Sequence, residues 1–268
     1  MRPVPISEDP RHPVAIRLAL DEVVITETRF AGGERGPDAH VHHAHADCFY
    51  VLEGSLVLEL PDGDRPLPAG SWALVPPKVV HSFRTGADGA RFLNLHAPSV
   101  GFDRYLLASR GKGGPLDHDL LAGFDQQPPP ADGGLDPALV TIRSFREGPR
   151  LEKEGESGIV LATAEETRGA LGVVERVVEP GAPGPPLHVH DRTGDAFLVL
   201  DGRFAVQLGE ERRELAPGDV LLAAPGVVHG RTEAVNGPAR LLNLFAPGGL
   251  EAAYGGRAAL ADVDFRPV

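Results

Sequence analysis

Residues 37–54, PDAHVHHAHADCFYVLEG, and residues 185–202, PPLHVHDRTGDAFLVLDG, line up without a gap. His40 falls on His188, His42 on His190, Asp47 on Asp195 and Gly54 on Gly202, a constant spacing of 148 residues. Downstream, LPAGSWALVPPKVVHSF falls on LAPGDVLLAAPGVVHGR at the same spacing, so Gly70 meets Gly218 and His81 meets His229. One residue of slippage then aligns RFLNLHAP with RLLNLFAP, pairing Asn94 with Asn243 and His96 with Phe245. A duplicated domain is the economical reading. The segment between the copies is broken by glycines and the triple proline 128–130, which interrupt any long helix or strand. The boundary is expected near residue 135, giving domains 1–135 and 136–268.

Within each copy the pattern is that of strands. CFYVLEGSLVLELPDGDRPL reads as strand, turn, strand, turn, with Glu-Gly and Asp-Gly as the punctuation. AFLVLDGRFAVQLGEERREL repeats it. Short strands at regular spacing, with 33 Gly and 26 Pro in 268 residues, indicate an antiparallel sandwich or barrel. GFDRYLLASR and PLDHDLLAGF read as short peripheral helices, with a flexible linker as the competing view. The expected class is therefore all-β, two tandem barrels with short helices at their edges.

Residues i and i+2 of a strand project from one face. His40 and His42 thus point the same way, as do His188 and His190. An acid follows five residues after the second histidine of each pair, and a third histidine, His81 or His229, comes from a more distant strand. Three imidazoles and a carboxylate suit Fe, Mn, Ni, Co or Zn and disfavour Ca or Mg, which take mostly oxygen. One His-x-His carries little weight by itself. Here the same set recurs in register and uses six of the eleven histidines. The competing reading is a barrel that kept these residues by descent and lost its ion. Neighbouring histidines separate the two copies. His43 has the opposite parity and is expected in solvent, His45 lies in a turn and is free to face either way, and Asn94 and His96 have no polar equivalent of His96 in the second copy. Cys48, Trp72 and Tyr50 are expected in packing.

These motifs resemble the cupin superfamily, in particular bicupins of the quercetin-dioxygenase-like kind. Its first motif, G-x5-H-x-H-x(3,4)-E-x6-G, is met by His40, His42, Asp47 and Gly54 and again by His188, His190, Asp195 and Gly202. Its second, G-x5-P-x-G-x2-H-x3-N, is met by Gly70, Pro76 and His81, and by Gly218, Gly226 and His229. Both copies carry Asp in place of Glu. Lys78, Ala224, Thr85 and Glu233 are further departures, all expected to alter loop shape more than ligation. The resemblance implies two jelly-roll barrels, each with one divalent ion (Fe, Mn or Ni, with Zn as a further option) at His40, His42, Asp47 and His81 or at His188, His190, Asp195 and His229. It also implies O2-dependent cleavage of a small enol or phenolic substrate, with Asp47 and Asp195 as bases. The shorter Asp either ligates or hydrogen-bonds a metal-bound water. Two alternatives stand beside the dioxygenase: a non-redox isomerase, lyase or decarboxylase, and a non-catalytic small-molecule binder.

A formal charge of −12 argues against nucleic-acid or anionic-membrane partners. A single cysteine excludes an internal disulfide framework. The first residues lack an apolar h-region and no apolar run reaches spanning length, so a cytoplasmic protein, monomer or homodimer, is expected.

Overall fold

Each copy of the repeat forms a mostly antiparallel β unit in the computed structural model, which describes residues 4–7, 14–109, 123–145, 151–254, 256 and 263–268. The chain divides into two units, Pro3–Ser144 and Phe145–Val268. In the first, β1 (Val4–Ser7), β2 (Val14–Ala19), β3 (Val24–Phe30), β4 (Ala46–Leu60), β5 (Gly63–Pro68), β6 (Ser71–Val75) and β7 (Ser82–Ala97) precede helix α1 (Phe102–Ser109). A 3-10 turn (Pro137–Leu139) and β8 (Thr141–Ser144) complete it. The sheet order is β1-β2-β3-β7-β4-β6-β8, with β5 paired to β4. Because β8 pairs with β6, Ser71 opposite Ser144 and Leu74 opposite Thr141, this unit runs nine residues past the boundary expected near 135.

The second unit contains β9 (Leu151–Lys153), β10 (Glu156–Ala162), β11 (Gly172–Val178), β12 (His188–Val189), β13 (Gly194–Asp201), β14 (Phe204–Leu208) and β15 (Glu211–Leu215). It continues with β16 (Val220–Ala223), β17 (His229–Ala234), β18 (Ala239–Ala246), helix α2 (Glu251–Tyr254) and β19 (Arg266–Pro267). Its sheets are ordered β16-β13-β18-β11-β10-β9 and β15-β14-β17-β12-β19. The helix expected from GFDRYLLASR forms as α1. The one expected from PLDHDLLAGF lies outside the described residues except for Gly123 and Phe124. No helix among the described residues is long and apolar enough to cross a membrane.

The Glu-Gly pair at 53–54 is no chain reversal. Strand β4 runs straight through it for 15 residues, and the register against β7 slips on either side of Gly54. The slips change which parity faces the core. Phe49 and Val51 before the glycine, and Leu56, Leu58 and Leu60 after it, belong to one buried cluster with Phe83 and Phe92. Gly54 has φ +70, and a Cβ there would lie 2.0 Å from the Gly89 carbonyl oxygen, so only glycine fits. The second copy repeats the device. Phe197 and Val199 pack with Phe204 and Val206 across Gly202, whose Cβ would lie 2.1 Å from the Pro238 oxygen. The kink leaves the strand start on its own parity, and Asp47 therefore shares the inward face of Phe49.

Candidate metal centres

The structure brings the sequence-derived residues together in two groups, His40, His42, Asp47, His81 and His188, His190, Asp195, His229. All eight are buried, and the potential ligand atoms of each group lie within 4.8 Å of one another. The strand expected at His40–His42 is shorter than the alternation suggested. His40 forms a single bridge to His81, Val41 one to Gln127, and in the second copy the two-residue β12 pairs His188 with His229 and Val189 with Arg266. Those bridges suffice to hold the histidines side by side, with ring centroids 4.4 Å apart for His40–His81 and 4.3 Å for His188–His229.

Every imidazole is oriented the same way. Nδ1 of His40 donates to Asp38 O (2.8 Å), that of His42 to Asp125 O (2.8 Å) and that of His81 to Val79 O (3.0 Å). In the second unit the acceptors are Pro186 O (2.8 Å), Asp264 O and Val227 O (2.9 Å) for His188, His190 and His229. With Nδ1–H committed, each Nε2 presents a lone pair to the centre, the arrangement of metal-bound histidines. His81 Nε2 lies 3.2 Å from Asp47 Oδ2, and His229 Nε2 lies 3.3 Å from Asp195 Oδ2. Two acceptors at that distance require a cation, either a proton or a metal ion, to bring them into attraction. His42 Nε2 is buried with no hydrogen-bond partner at all. These donor sets fit a divalent transition ion.

The electrostatics agree. Burial, reinforced by His81 and His42, lowers His40 to about 3, and burial lowers His188 to about 4, so both imidazoles are neutral ligands at neutral pH. Burial alone would raise the Asp47 carboxyl, but His96, His42 and His81 outweigh it and hold Asp47 well below the usual carboxylate range. Asp195 is drawn down to about 2, with His190 and His229 acting against burial. Burial likewise opposes the charged form of His229, yet the Asp195 carboxylate beside it raises this histidine.

Both carboxylates are steered by an asparagine from the neighbouring long strand. Asn94 Nδ2 donates to Asp47 Oδ1 (2.5 Å), and Asn243 Nδ2 donates to Asp195 Oδ1. This turns Oδ2 of each acid toward the histidines. Asn94→Leu is expected to leave the fold in place and weaken metal retention in the first unit by roughly 10–100-fold, read by titration against a competing chelator. Unchanged affinity would mean that Asp47 needs no orienting partner.

Behind the asparagines the two units differ. In the first, His96 Nε2 lies 3.0 Å from Asn94 Oδ1, His96 Nδ1 lies 2.9 Å from His45 Nε2, and His45 Nδ1 lies 2.9 Å from Asp125 Oδ2. Both ends of this chain only accept. Asp125 is ionised, since His45 and the backbone N–H groups of Ala44 and His43 overcome burial to hold it below its ordinary value. Three hydrogen bonds between two acceptor ends need three ring protons, one more than two neutral imidazoles carry. The His45–His96 pair therefore carries one extra proton, with the Asp125 carboxylate at its outer end. In the second unit Arg176 does the same work: Nη1 donates to Asn243 Oδ1 (2.7 Å), while Nε and Nη2 grip Glu156 (2.7 and 2.9 Å).

Several of these residues escaped the sequence reading. Asp125 and Asp264 both accept from the loop after the paired histidines, Asp125 from His43 N and Ala44 N, Asp264 from Asp191 N, Arg192 N and Thr193 N. The signal was present: Asp-x-x-Pro occurs at 125–128 and at 264–267. Arg176 and Glu156 carried no such mark. Among the expected bystanders, His43 is exposed and Cys48, Trp72 and Tyr50 are buried in the core. His45, left open by its position in a turn, is buried.

Two β units, each with a three-histidine, one-carboxylate cluster, define a duplicated β fold with one candidate metal site per unit. The cupin domain profile matches residues 26–96 and 174–245, more than half of the chain, and the chain belongs to the cupin superfamily as a bicupin. Among solved structures it is similar to oxalate decarboxylase from Bacillus subtilis (TM-score 0.60, 16% identity, covering 88% of this chain and 72% of that one). The Lactobacillus farciminis oxalate decarboxylase formate complex is similar too (TM-score 0.60, 13% identity, 91% and 83% covered). At such identity the likeness concerns the fold. No curated protein sequence matches significantly.

Proposed function

We propose that this bicupin is a metal-dependent enzyme of the lyase type that removes a carboxyl group from a small oxyacid without net oxidation. The observation that carries the reading is the pair of centres with all six imidazoles fixed Nε2-inward around a carboxylate. The decarboxylase activity named for the similar structures gives the direction. The oxygenase reading implied by sequence resemblance gains no observation of its own.

His40, His42, Asp47 and His81 would hold one ion, and His188, His190, Asp195 and His229 the other. A divalent ion there supplies Lewis-acid stabilisation of the negative charge that builds on the substrate. When a carboxylate leaves as CO2, its bonding pair stays on the remaining carbon, which must take a proton. The His45–His96 pair holds such a proton close to the first centre, with the His42 and His96 ring centroids 5.8 Å apart. Asp125 stabilises the charged ring, and Asn94 keeps Asp47 turned to the ion. This makes the first centre the better equipped for proton delivery.

Mn2+-loaded protein incubated anaerobically with a panel of small 2-oxo and dicarboxylic acids is expected to release CO2 as substrate disappears. The activity should be lost in His40→Ala/His188→Ala. A strict requirement for O2, with no anaerobic turnover, would contradict the lyase reading and restore the oxygenase.

A further inference from the structure

The second centre opens on a cavity of about 230 Å³. Its lining joins His188, His190, Asp195 and His229 to a wall of Phe245, Leu250, Ala253, Tyr254 and Phe265. Tyr254 stacks on Phe245 with ring centroids 5.9 Å apart, and Phe265 stacks on His188 at 4.2 Å. The wall is therefore built of fixed rings. The buried cation of the lining, Arg176, is tied by three hydrogen bonds to Glu156 and Asn243, and the Glu156 carboxylate offsets its charge within the wall. Lys153 holds its ammonium over the Tyr254 ring, 4.3 Å from the centroid. Thr232, also in the lining, has a buried hydroxyl with no hydrogen-bond partner. The site thus offers one metal-centre end, one unpaired hydroxyl, the Lys153 ammonium beside Tyr254 and an otherwise mostly aromatic and aliphatic wall.

Size sharpens this. A dry apolar cavity of about 150 Å³ accepts benzene, and oxalate has as many non-hydrogen atoms as benzene. Oxalate would leave much of this cavity empty and the Phe245–Leu250–Phe265 wall uncovered. A flat polycyclic phenol exceeds it. We propose that the C-terminal centre takes a small acid with two adjacent oxygens for the His/Asp cluster and a single-ring aromatic or branched aliphatic body for the Phe245–Leu250–Phe265 wall. The inference rests on the metal-dependent reading above and departs from the substrate of the similar structures.

The test uses full-length protein carrying His81→Ala, so that only the second centre is loaded, with Co2+ added and its uptake measured first. Calorimetric titration then compares benzoylformate with oxalate, which share a two-carbon oxygen-bearing head and differ by the ring. Benzoylformate is expected to bind at least tenfold more tightly. Adding Ala253→Trp, which fills the cavity, should cost benzoylformate at least tenfold and leave Co2+ uptake and oxalate binding unchanged, with Ala253→Leu as the milder version should the indole disturb folding. Normal Co2+ uptake with oxalate bound as tightly as benzoylformate, or benzoylformate indifferent to both Ala253 variants, overturns the inference alone. Failure to take up Co2+ overturns the metal-dependent reading and the inference with it.

Discussion

Arg176→Met is expected to destabilise the C-terminal unit by about 3–5 kcal/mol, the usual cost of leaving one partner of a buried ion pair unmatched. Arg176 is 2% exposed, and its two bonds to Glu156 and one to Asn243 satisfy three donors in one geometry. Removing the guanidinium leaves Glu156 facing an apolar wall and Asn243 without the donor that fixes its amide. The double variant Arg176→Met/Glu156→Leu removes both charges and is expected to recover most of the loss. Amide hydrogen exchange on β11 and β18 localises the effect to this unit. A loss below about 1 kcal/mol for the single variant, the range of exposed pairs, would mean that water reaches Glu156.

Metal removal should have the second large effect. Each centre gathers lone pairs and a carboxylate in a buried space, so an ion that binds only the folded unit stabilises it by mass action. At a free concentration a thousandfold above Kd this amounts to about 4 kcal/mol. With a melting shift of about 2–4 °C per kcal/mol for units of this size, chelation should lower the melting temperature by about 10 °C, and restoring Mn2+ or Co2+ should recover it. His40→Ala/His188→Ala should melt at the same temperature with and without metal. A wild type equally indifferent to chelator and to added ion would show that the centres are held by protein contacts alone.

The sequence announced the candidate metal centres clearly because their spacing of 148 residues holds from His40 to His81 in one copy and from His188 to His229 in the other. Every residue of the two clusters lies on the repeated core of the fold. The residues that complete the centres lie where the copies drift apart. Asp125 and Asp264 do equivalent work, and Gln127 and Arg266 pair with the equivalent Val41 and Val189, but they stand 139 residues apart and so fall outside the alignment. Arg176 and Glu156 sit on strands whose alternation reads simply as apolar, and a buried charge pair leaves no periodic trace. Gly54 was visible yet misread. An Asp-Gly or Glu-Gly pair between apolar runs resembles a hairpin turn, and only the two register slips in β4 reveal a strand that kinks and continues. Likewise the His40–His42 alternation implied a longer strand than the isolated bridges that carry it.

Two metal centres, one per barrel, are the centre of this account, and direct metal analysis of reconstituted protein tests them most simply. Elemental mass spectrometry of the wild type should give close to two equivalents of a divalent transition metal per chain. His40→Ala and His188→Ala should each give close to one. A wild type that retains no Fe, Mn, Ni, Co or Zn after reconstitution, or variants that retain as much as the wild type, would contradict it.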